Sequence, residues 1–324
     1  ESTQIGHYTL RIHRVSEPEF FPMPFAIPTS DAGLGTGAGW IESPGAVDAY
    51  TFDSLADQSY ILDFLSWDSN LEQINWAMLH EDASGVVGEI LSGDLGSFEK
   101  RFINLQKEGA YRLQVGDSVD SGTGSYAFVF QAVPEPDFFE LDLGEEVHIA
   151  ADANGQGNLE MEAASDVFIW SQEQPGRFFF ELVGFDSSLQ SAQMRLIGPS
   201  GEQDVRFSRF FFGGDPGAFT LEEPGDYRLA IGGNLNSGVG RYELRIKPVP
   251  EDEEHLLSIG QAIDGSSATG GEGFIPAPGA RDVYLFDAEA RQRVFFEPLS
   301  VSETLGLMTW TLEDPMGNLL FSQC

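Results

Sequence analysis

Apolar and polar residues alternate with a period of two in several short stretches of the chain. The pattern is clearest at residues 111–115 and 126–130, where every second residue is aromatic or aliphatic. It is typical of β-strands that bury one face. Glycine-rich stretches such as residues 116–124 and 232–240 lie between such segments, and no segment has the period of a long amphipathic helix. The pattern therefore predicts an all-β fold.

This pattern recurs along the chain in a fixed register. One landmark is a Gly-x-Tyr tripeptide followed by alternating apolar residues, and its tyrosines lie 118 and 116 residues apart. Its copies begin at Gly6, Gly124 and Gly240. A second landmark is an aspartate that opens an apolar strand. Its copies begin at Asp48, Asp166 and Asp282. Two landmarks in one register indicate a true internal repeat.

The repeat length of about 117 residues is that of a single β-sandwich domain and far exceeds a solenoid repeat. It predicts one module at residues 15–133 (module 1), a second at 134–249 (module 2) and a third, truncated module at 250–324 (module 3). Residues 1–14 are predicted to be the last strand of a preceding module. The strands expected in module 1 lie near residues 48–52, 60–67, 75–80, 101–105, 110–115 and 125–131.

The order of these landmarks resembles a known family. Residues 257–265 lead to the strand that opens at Asp282, and each complete module then contains two Gly-x-Tyr strands. This order resembles the bacterial pre-peptidase C-terminal domain, which is similar to the collagen-binding domains of clostridial collagenases. The resemblance implies tandem jelly-roll-like antiparallel β-sandwich modules. It also implies a secreted bacterial protein, located outside the cell or at its surface.

The charge of the chain excludes some partners. The chain has 17 Lys and Arg residues and 52 Asp and Glu residues, which gives a formal net charge of −35. Such a chain is repelled by nucleic acid and by anionic membrane surfaces. No run of about 18 apolar residues is present, so membrane insertion is not expected. The single cysteine, Cys324, excludes an internal disulfide and a cysteine-based zinc site.

Acidic residues recur in register at the module boundaries, and they are the predicted metal ligands. These residues are Glu17, Glu19, Glu135, Asp137, Glu251 and Glu253. Carboxylates at alternate positions of an extended segment face one side, where calcium, which prefers oxygen ligands, could collect them. The collagen-binding relatives use acids near the linker for calcium, so the resemblance favours this hypothesis. The simpler alternative is a solvated linker, since no D-x-[DN]-x-[DN]-G loop is present.

No catalytic residues and no cofactor other than calcium are predicted. The five histidines have unrelated counterparts in the other repeats, and the chain has neither a G-x-S-x-G nor an H-E-x-x-H motif. Four aromatic residues do not fit strand alternation and are candidates for ligand contact. They are Trp40, Phe210, Phe211 and Phe212. The alternative for the three phenylalanines is an edge packed under its own loop.

Together these observations predict non-catalytic tandem modules that act as spacer, adhesion or substrate-targeting modules. The expected partner is an extracellular protein or a polysaccharide surface, and the chain is expected to be monomeric within a longer multi-module protein. An alternative is the accessory region of an extracellular peptidase whose catalytic domain lies outside these residues.

Overall fold

The fold is seen in a computed structural model of the chain. It describes residues 7, 14–71, 73–81, 85, 87–116, 122–201, 205–207, 215–235, 237–263, 265, 271–305 and 308–323. Strands joined by turns dominate these residues, which confirms the predicted all-β sandwich fold. Single turns of 3-10 helix lie at Ser69–Leu71, Leu95–Ser97, Ser187–Leu189 and Glu303–Leu305.

Module 1 is a sandwich of two sheets. The five-stranded sheet has the order β1 (Glu19–Pro22), β3 (Val47–Ser54), β8 (Gly109–Gly116), β5 (Asn75–Glu81) and β6 (Val87–Asp94). The four-stranded sheet has the order β2 (Trp40–Ile41), β9 (Gly124–Ala132), β4 (Gln58–Trp67) and β7 (Arg101–Leu105). Strand β6 had no counterpart among the predicted strands. Its residues are mostly exposed, so it lacks the alternation that marks a half-buried strand.

Module 2 repeats this arrangement. Its first sheet has the order β10 (Asp137–Glu140), β13 (Ser165–Gln172), β18 (Gly225–Gly232), β15 (Met194–Ile197) and β16 (Val205–Phe207). Its second sheet has the order β11 (Val147–Ile149), β19 (Gly240–Pro248), β14 (Gly176–Phe185) and β17 (Gly217–Leu221), with β12 (Asn158–Leu159) also paired to β19. Both sandwiches belong to one compact unit, which also contains residues 275–281.

A second compact unit comprises residues 252–274 and 282–324. It contains a parallel pair, β20 (Glu253–Leu256) with β21 (Asp282–Leu285), and an antiparallel pair, β22 (Trp310–Glu313) with β23 (Leu319–Gln323). The predicted strand at residues 1–14 lies almost wholly outside the described residues.

Each sandwich buries an aromatic core between its two sheets. Alternate residues of β9 point inward, so that Tyr126, Phe128 and Phe130 are buried, and Tyr50 from β3 meets Phe128 edge to face. Each fully buried side chain of this size stabilises the fold by about 1.5–3 kcal/mol. Among the described residues no helix has the length and apolar character needed to cross a membrane.

The first strand of each repeat pairs in parallel with the strand that carries the aspartate landmark. This pairing sets Glu19 opposite Asp48 in module 1 and Asp137 opposite Asp166 in module 2. In both modules an acid from the module boundary therefore lies beside a buried aspartate.

Candidate functional site

Asp48 is a carboxylic acid inside the sandwich, with none of its surface exposed. The Tyr126 hydroxyl donates a short hydrogen bond to Asp48 Oδ2. The Tyr50 and Tyr126 hydroxyl oxygens lie 2.9 Å apart, and the Gly39 N–H donates to the Tyr50 hydroxyl at 2.8 Å. Each group therefore donates to the next: the Gly39 N–H to Tyr50, the Tyr50 hydroxyl to Tyr126, and the Tyr126 hydroxyl to Asp48. Burial raises the pKa of both tyrosines, which keeps their hydroxyls protonated as donors.

Module 2 has the same arrangement with one hydroxyl fewer. The Tyr242 hydroxyl donates to Asp166 Oδ2, as Tyr126 does to Asp48. Phe168 occupies the position of Tyr50 and cannot relay a hydrogen bond. Instead, the Gly157 N–H donates directly to Asp166 Oδ2 at 3.2 Å. The aspartate–tyrosine pair is therefore common to both complete modules, whereas the second tyrosine is not.

Two further carboxylates lie next to Asp48. Glu19, Glu42 and Asp48 each offer one carboxylate oxygen, and these three atoms lie within 4.8 Å of one another. Asp48 Oδ1 is buried and has no hydrogen-bond partner among the described residues. A buried carboxylate oxygen without a partner is costly, and a bound cation would remove that cost.

A glycine turn allows the two glutamates to come this close. A Cβ added to Gly37 would lie 2.1 Å from Glu19 Oε2 and 3.3 Å from Glu42 Oε1, so a larger residue would displace the Glu19 carboxylate. The φ of Gly37 is 104°, a value that glycine adopts without strain. The turn therefore forms a wall of the acidic cluster.

The cluster disfavours ionisation of Asp48. The pKa of Asp48 is raised from 3.8 to about 7, mainly by burial. The hydrogen bond from Tyr126 opposes this rise, and the negative charges of Glu42 and Glu19 add to it. The N–H of Trp40 has a smaller lowering effect. Without a cation, Asp48 is thus partly protonated near neutral pH.

The corresponding acids of module 2 also lie near its buried aspartate, although among the described residues only those of module 1 bring three carboxylate oxygens within 4.8 Å of one another. Burial raises the pKa of Asp166 to about 7, and the charges of Glu160 and Asp137 contribute to the rise. A Cβ added to Gly155 would lie 3.3 Å from Asp137 Oδ2 and 3.4 Å from Glu160 Oε1. Asp137, Gly155, Glu160 and Asp166 thus correspond to Glu19, Gly37, Glu42 and Asp48.

In the second compact unit the set of acids is smaller. Asp282 pairs in register with Glu253 and accepts hydrogen bonds from the Tyr284 hydroxyl at 3.1 Å and from the Gly273 N–H at 3.2 Å. Pro276 occupies the position that corresponds to Glu42 and Glu160. The third repeat therefore has no carboxylate at that sequence position.

The structure divides the six predicted metal ligands into two groups. Three of them are the first residues of parallel strands and lie opposite the landmark aspartates; they are Glu19, Asp137 and Glu253. The other three lie two residues earlier and are exposed; they are Glu17, Glu135 and Glu251. The cluster in module 1 is completed by two residues that were not among the predicted ligands, Glu42 and Asp48.

The remaining predicted site residues lie elsewhere. Trp40 is in the two-residue strand β2, and 48% of its surface is exposed. Its role in ligand contact stays a prediction. Phe210, Phe211 and Phe212 lie outside the described residues.

Three histidines in the described part of the chain have acidic or aromatic neighbours. His148 Nε2 lies 2.6 Å from Glu243 Oε1, and His255 Nε2 lies 3.7 Å from Glu253 Oε2. The His80 ring packs against Tyr111 at a centroid distance of 4.7 Å.

Comparison with known proteins leaves the family open. No family model matches the chain, and no curated protein matches it. Among solved structures, the CUB1-EGF-CUB2 domains of rat MASP-1 are 7% identical, with a TM-score of 0.23, covering 71% of this chain and 100% of that chain. The CUB1-EGF-CUB2 domain of human MASP-1/3 is 9% identical, with a TM-score of 0.23. The match covers 66% of this chain and 97% of that chain. Similarity at these scores carries no argument about function, and the resemblance to the pre-peptidase C-terminal domain stays a prediction.

Proposed function

We propose that this chain is a non-catalytic array of β-sandwich modules from an extracellular or cell-surface protein, and that its two complete modules each bind a calcium ion. The observation that carries the proposal is the buried Asp48 carboxylate, whose Oδ1 accepts no hydrogen bond from the described residues and which lies beside Glu19 and Glu42. The role of the array is to space or attach a neighbouring domain at a protein or polysaccharide surface.

The chemistry of the cluster favours a hard divalent cation. All three side chains offer carboxylate oxygens, which are the ligands that calcium and magnesium prefer. Calcium accepts six to eight oxygens in irregular geometry, whereas magnesium requires a near-ideal octahedron. Three side chains from separate strands and loops suit the less demanding ion, with backbone carbonyls and water completing its shell.

A cation at this position would also tie the module boundary to the sandwich. Glu19 lies in β1, at the edge of its sheet, whereas Asp48 lies in the neighbouring strand β3. An ion that binds both would hold the first strand in place and would replace the proton that Asp48 otherwise retains. Extracellular modules bind calcium with dissociation constants of about 10⁻⁴–10⁻³ M, which suits an extracellular location.

Direct contact between the modules supports the spacer role. Lys100 of module 1 lies 2.8 Å from Glu162 of module 2 and 3.2 Å from Asp63 of its own module. Beside this ion pair, Ile61 and Val133 form an apolar cluster with Ala163. A chain joined in this way keeps two modules in one arrangement, as a spacer requires.

Direct measurement of calcium binding tests the proposal. Isothermal titration of the full chain in calcium-free buffer is expected to show two sites. Asp48→Asn, which preserves shape and removes charge, is expected to remove one site, and Asp48→Asn with Asp166→Asn to remove both. Glu17→Gln is the matched control and should leave both sites intact. A chain that binds no calcium at millimolar concentration, or that loses no site on Asp48→Asn, would refute the proposal.

A further inference from the structure

The contact between modules 1 and 2 has a well-defined geometry. Val133 follows β9, and its N–H donates to the Ser59 carbonyl at 2.9 Å. This bond holds the valine in the apolar cluster with Ile61, and Ala163 of module 2 completes that cluster. Val133 is 5% exposed and Ala163 is 4% exposed, so the contact is dry.

Ala163 lies in a tight turn that leads into β13. The N–H of Ala164 donates to the Met161 carbonyl at 3.2 Å, and Ala163 has a φ of 63°. We call this contact a joint. It consists of the valine after the last strand (Val133), the apolar residue on the outer face of the neighbouring strand (Ile61) and the turn of the next repeat that contains Ala163.

The same joint occurs one repeat later, within the same compact unit. The N–H of Val249 donates to the Arg177 carbonyl at 2.8 Å, and that of Ala280 donates to the Ala277 carbonyl at 3.1 Å. Gly279 has a φ of 81°, and a Cβ added there would lie 3.4 Å from Phe179 Cδ2 and 3.5 Å from Val249 Cγ2. Val249, Phe179 and Gly279 thus take the positions of Val133, Ile61 and Ala163.

Half of the joint is also present one repeat earlier. The N–H of Ala46 donates to the Ser43 carbonyl at 3.0 Å, and Gly45 has a φ of 82°. A Cβ added to Gly45 would lie 3.2 Å from Val15 Cγ2, so the valine and the turn already touch. Val15 is nevertheless 50% exposed, whereas Val133 and Val249 are 5% and 8% exposed. The missing element is the outer strand face that Ile61 and Phe179 provide at the other two joints.

We propose that Val15 and the Ser43–Ala46 turn, termed the half-joint, form a docking surface for a further β-sandwich module of the same kind, joined to the chain at Val15. That module would present an apolar residue on its outer strand face, as module 1 presents Ile61 and module 2 presents Phe179. The surfaces on the two sides of a joint differ, so the contact is head to tail and extends as an open array.

Apolar fit, rather than charge, would select this partner. The Lys100 ion pair belongs only to the joint between modules 1 and 2, because the position of Glu162 is taken by Pro44 at the half-joint and by Pro278 at the later joint. The feature common to all three positions is the contact between valine and turn.

The test replaces residues 1–15 of the chain with an added module. A copy of residues 134–249 is placed directly before residues 16–324, so that a second Val249 replaces Val15. Hydrogen exchange of the turn at residues 43–46 is compared with and without the added module. Docking is expected to slow this exchange by about tenfold. Residues 161–164 of the same chain serve as the internal reference for a complete joint.

The matched control carries Phe179→Asp in the added copy alone, and it should restore the original exchange rate. Protected strands in the added module show that it has folded. If the turn at residues 43–46 then exchanges at the same rate as it does without that module, the proposal is overturned. If the strands of the added copy are unprotected, a copy of residues 16–133 takes its place, with Ile61→Asp as its control. In that chain too, slower exchange at residues 43–46 supports docking, and unchanged exchange overturns the proposal.

Discussion

Tyr126 donates its hydroxyl hydrogen bond to Asp48 across the interior of module 1, from β9 in one sheet to β3 in the other. The pair joins the two sheets at the point where Glu19 and Glu42 converge on the same carboxylate. Packing and charge are thus linked in one place, because the tyrosine holds one oxygen of the carboxylate that lies beside the two glutamates. The equivalent pair in module 2 is Tyr242 and Asp166.

Tyr126→Phe is expected to destabilise module 1 by about 1–3 kcal/mol, the usual cost of leaving a buried polar group unsatisfied. Tyr50→Phe is the matched control and is expected to cost under about 1 kcal/mol, at the lower end of the range for a lost hydrogen bond. Module 2 explains the small cost of Tyr50→Phe. There Phe168 takes the position of Tyr50, and the Gly157 N–H donates directly to the aspartate. Urea unfolding measures both variants. Equal losses would contradict the role assigned to Tyr126.

The raised pKa values of Asp48 and Asp166 predict the pH dependence of the calcium-free protein. Both carboxyls keep their protons up to about pH 7 in the folded state but ionise near pH 3.8 when unfolded. The folded state therefore binds more protons between these values. The free energy of unfolding should fall as the pH rises from about 4 to about 7 and should level off above that. Each carboxyl contributes up to about 4 kcal/mol to this fall.

Urea unfolding in EDTA at several pH values measures this dependence. Other acids of the chain also titrate, so the comparison is made against Asp48→Asn with Asp166→Asn, in which the fall should be smaller. A variant with the same pH dependence as the unmodified chain would show that neither carboxyl titrates as proposed.

The joint predicts different effects for two equivalent valines. Val133→Asp places a charge in the dry cluster with Ile61 and Ala163, so it should destabilise the chain by about 2–4 kcal/mol and weaken the coupling of the modules. Val15→Asp, at the half-exposed equivalent, should change the stability by less than about 0.5 kcal/mol. Differential scanning calorimetry should show separated transitions for Val133→Asp alone. A single unchanged transition in that variant would contradict direct coupling.

Much of this architecture could be predicted from the sequence. The Gly-x-Tyr and aspartate landmarks located β3, β8 and β9 because large buried residues recur at every second position of these strands. The landmark aspartates mark the register of the repeat, and their recurrence at the start of an apolar strand is also a signal of a buried acid. Glu42 and Glu160, six residues earlier, could have been found from the same register. The edge strand β6 could not, since an exposed strand carries little periodicity.

Parallel pairing was the feature that the sequence concealed. Acids at the module boundary pointed to a linker, and alternate spacing placed Glu17 and Glu19 on one side of it. The structure instead places Glu19 in β1, opposite Asp48, while Glu17 is exposed before that strand. Pairing between distant segments depends on tertiary packing, which local spacing does not encode.

The thermal midpoint of the full chain, measured with and without calcium, tests the central claim most directly. An ion that binds only the folded state stabilises it by about 1.4–2.7 kcal/mol per site at 10 to 100 times its dissociation constant. We expect 10 mM calcium to raise the midpoint of the unmodified chain by about 3–8 °C. It should leave the variant with Asp48→Asn and Asp166→Asn unchanged. Equal shifts in both chains, or no shift in either, would contradict calcium binding at the buried aspartates.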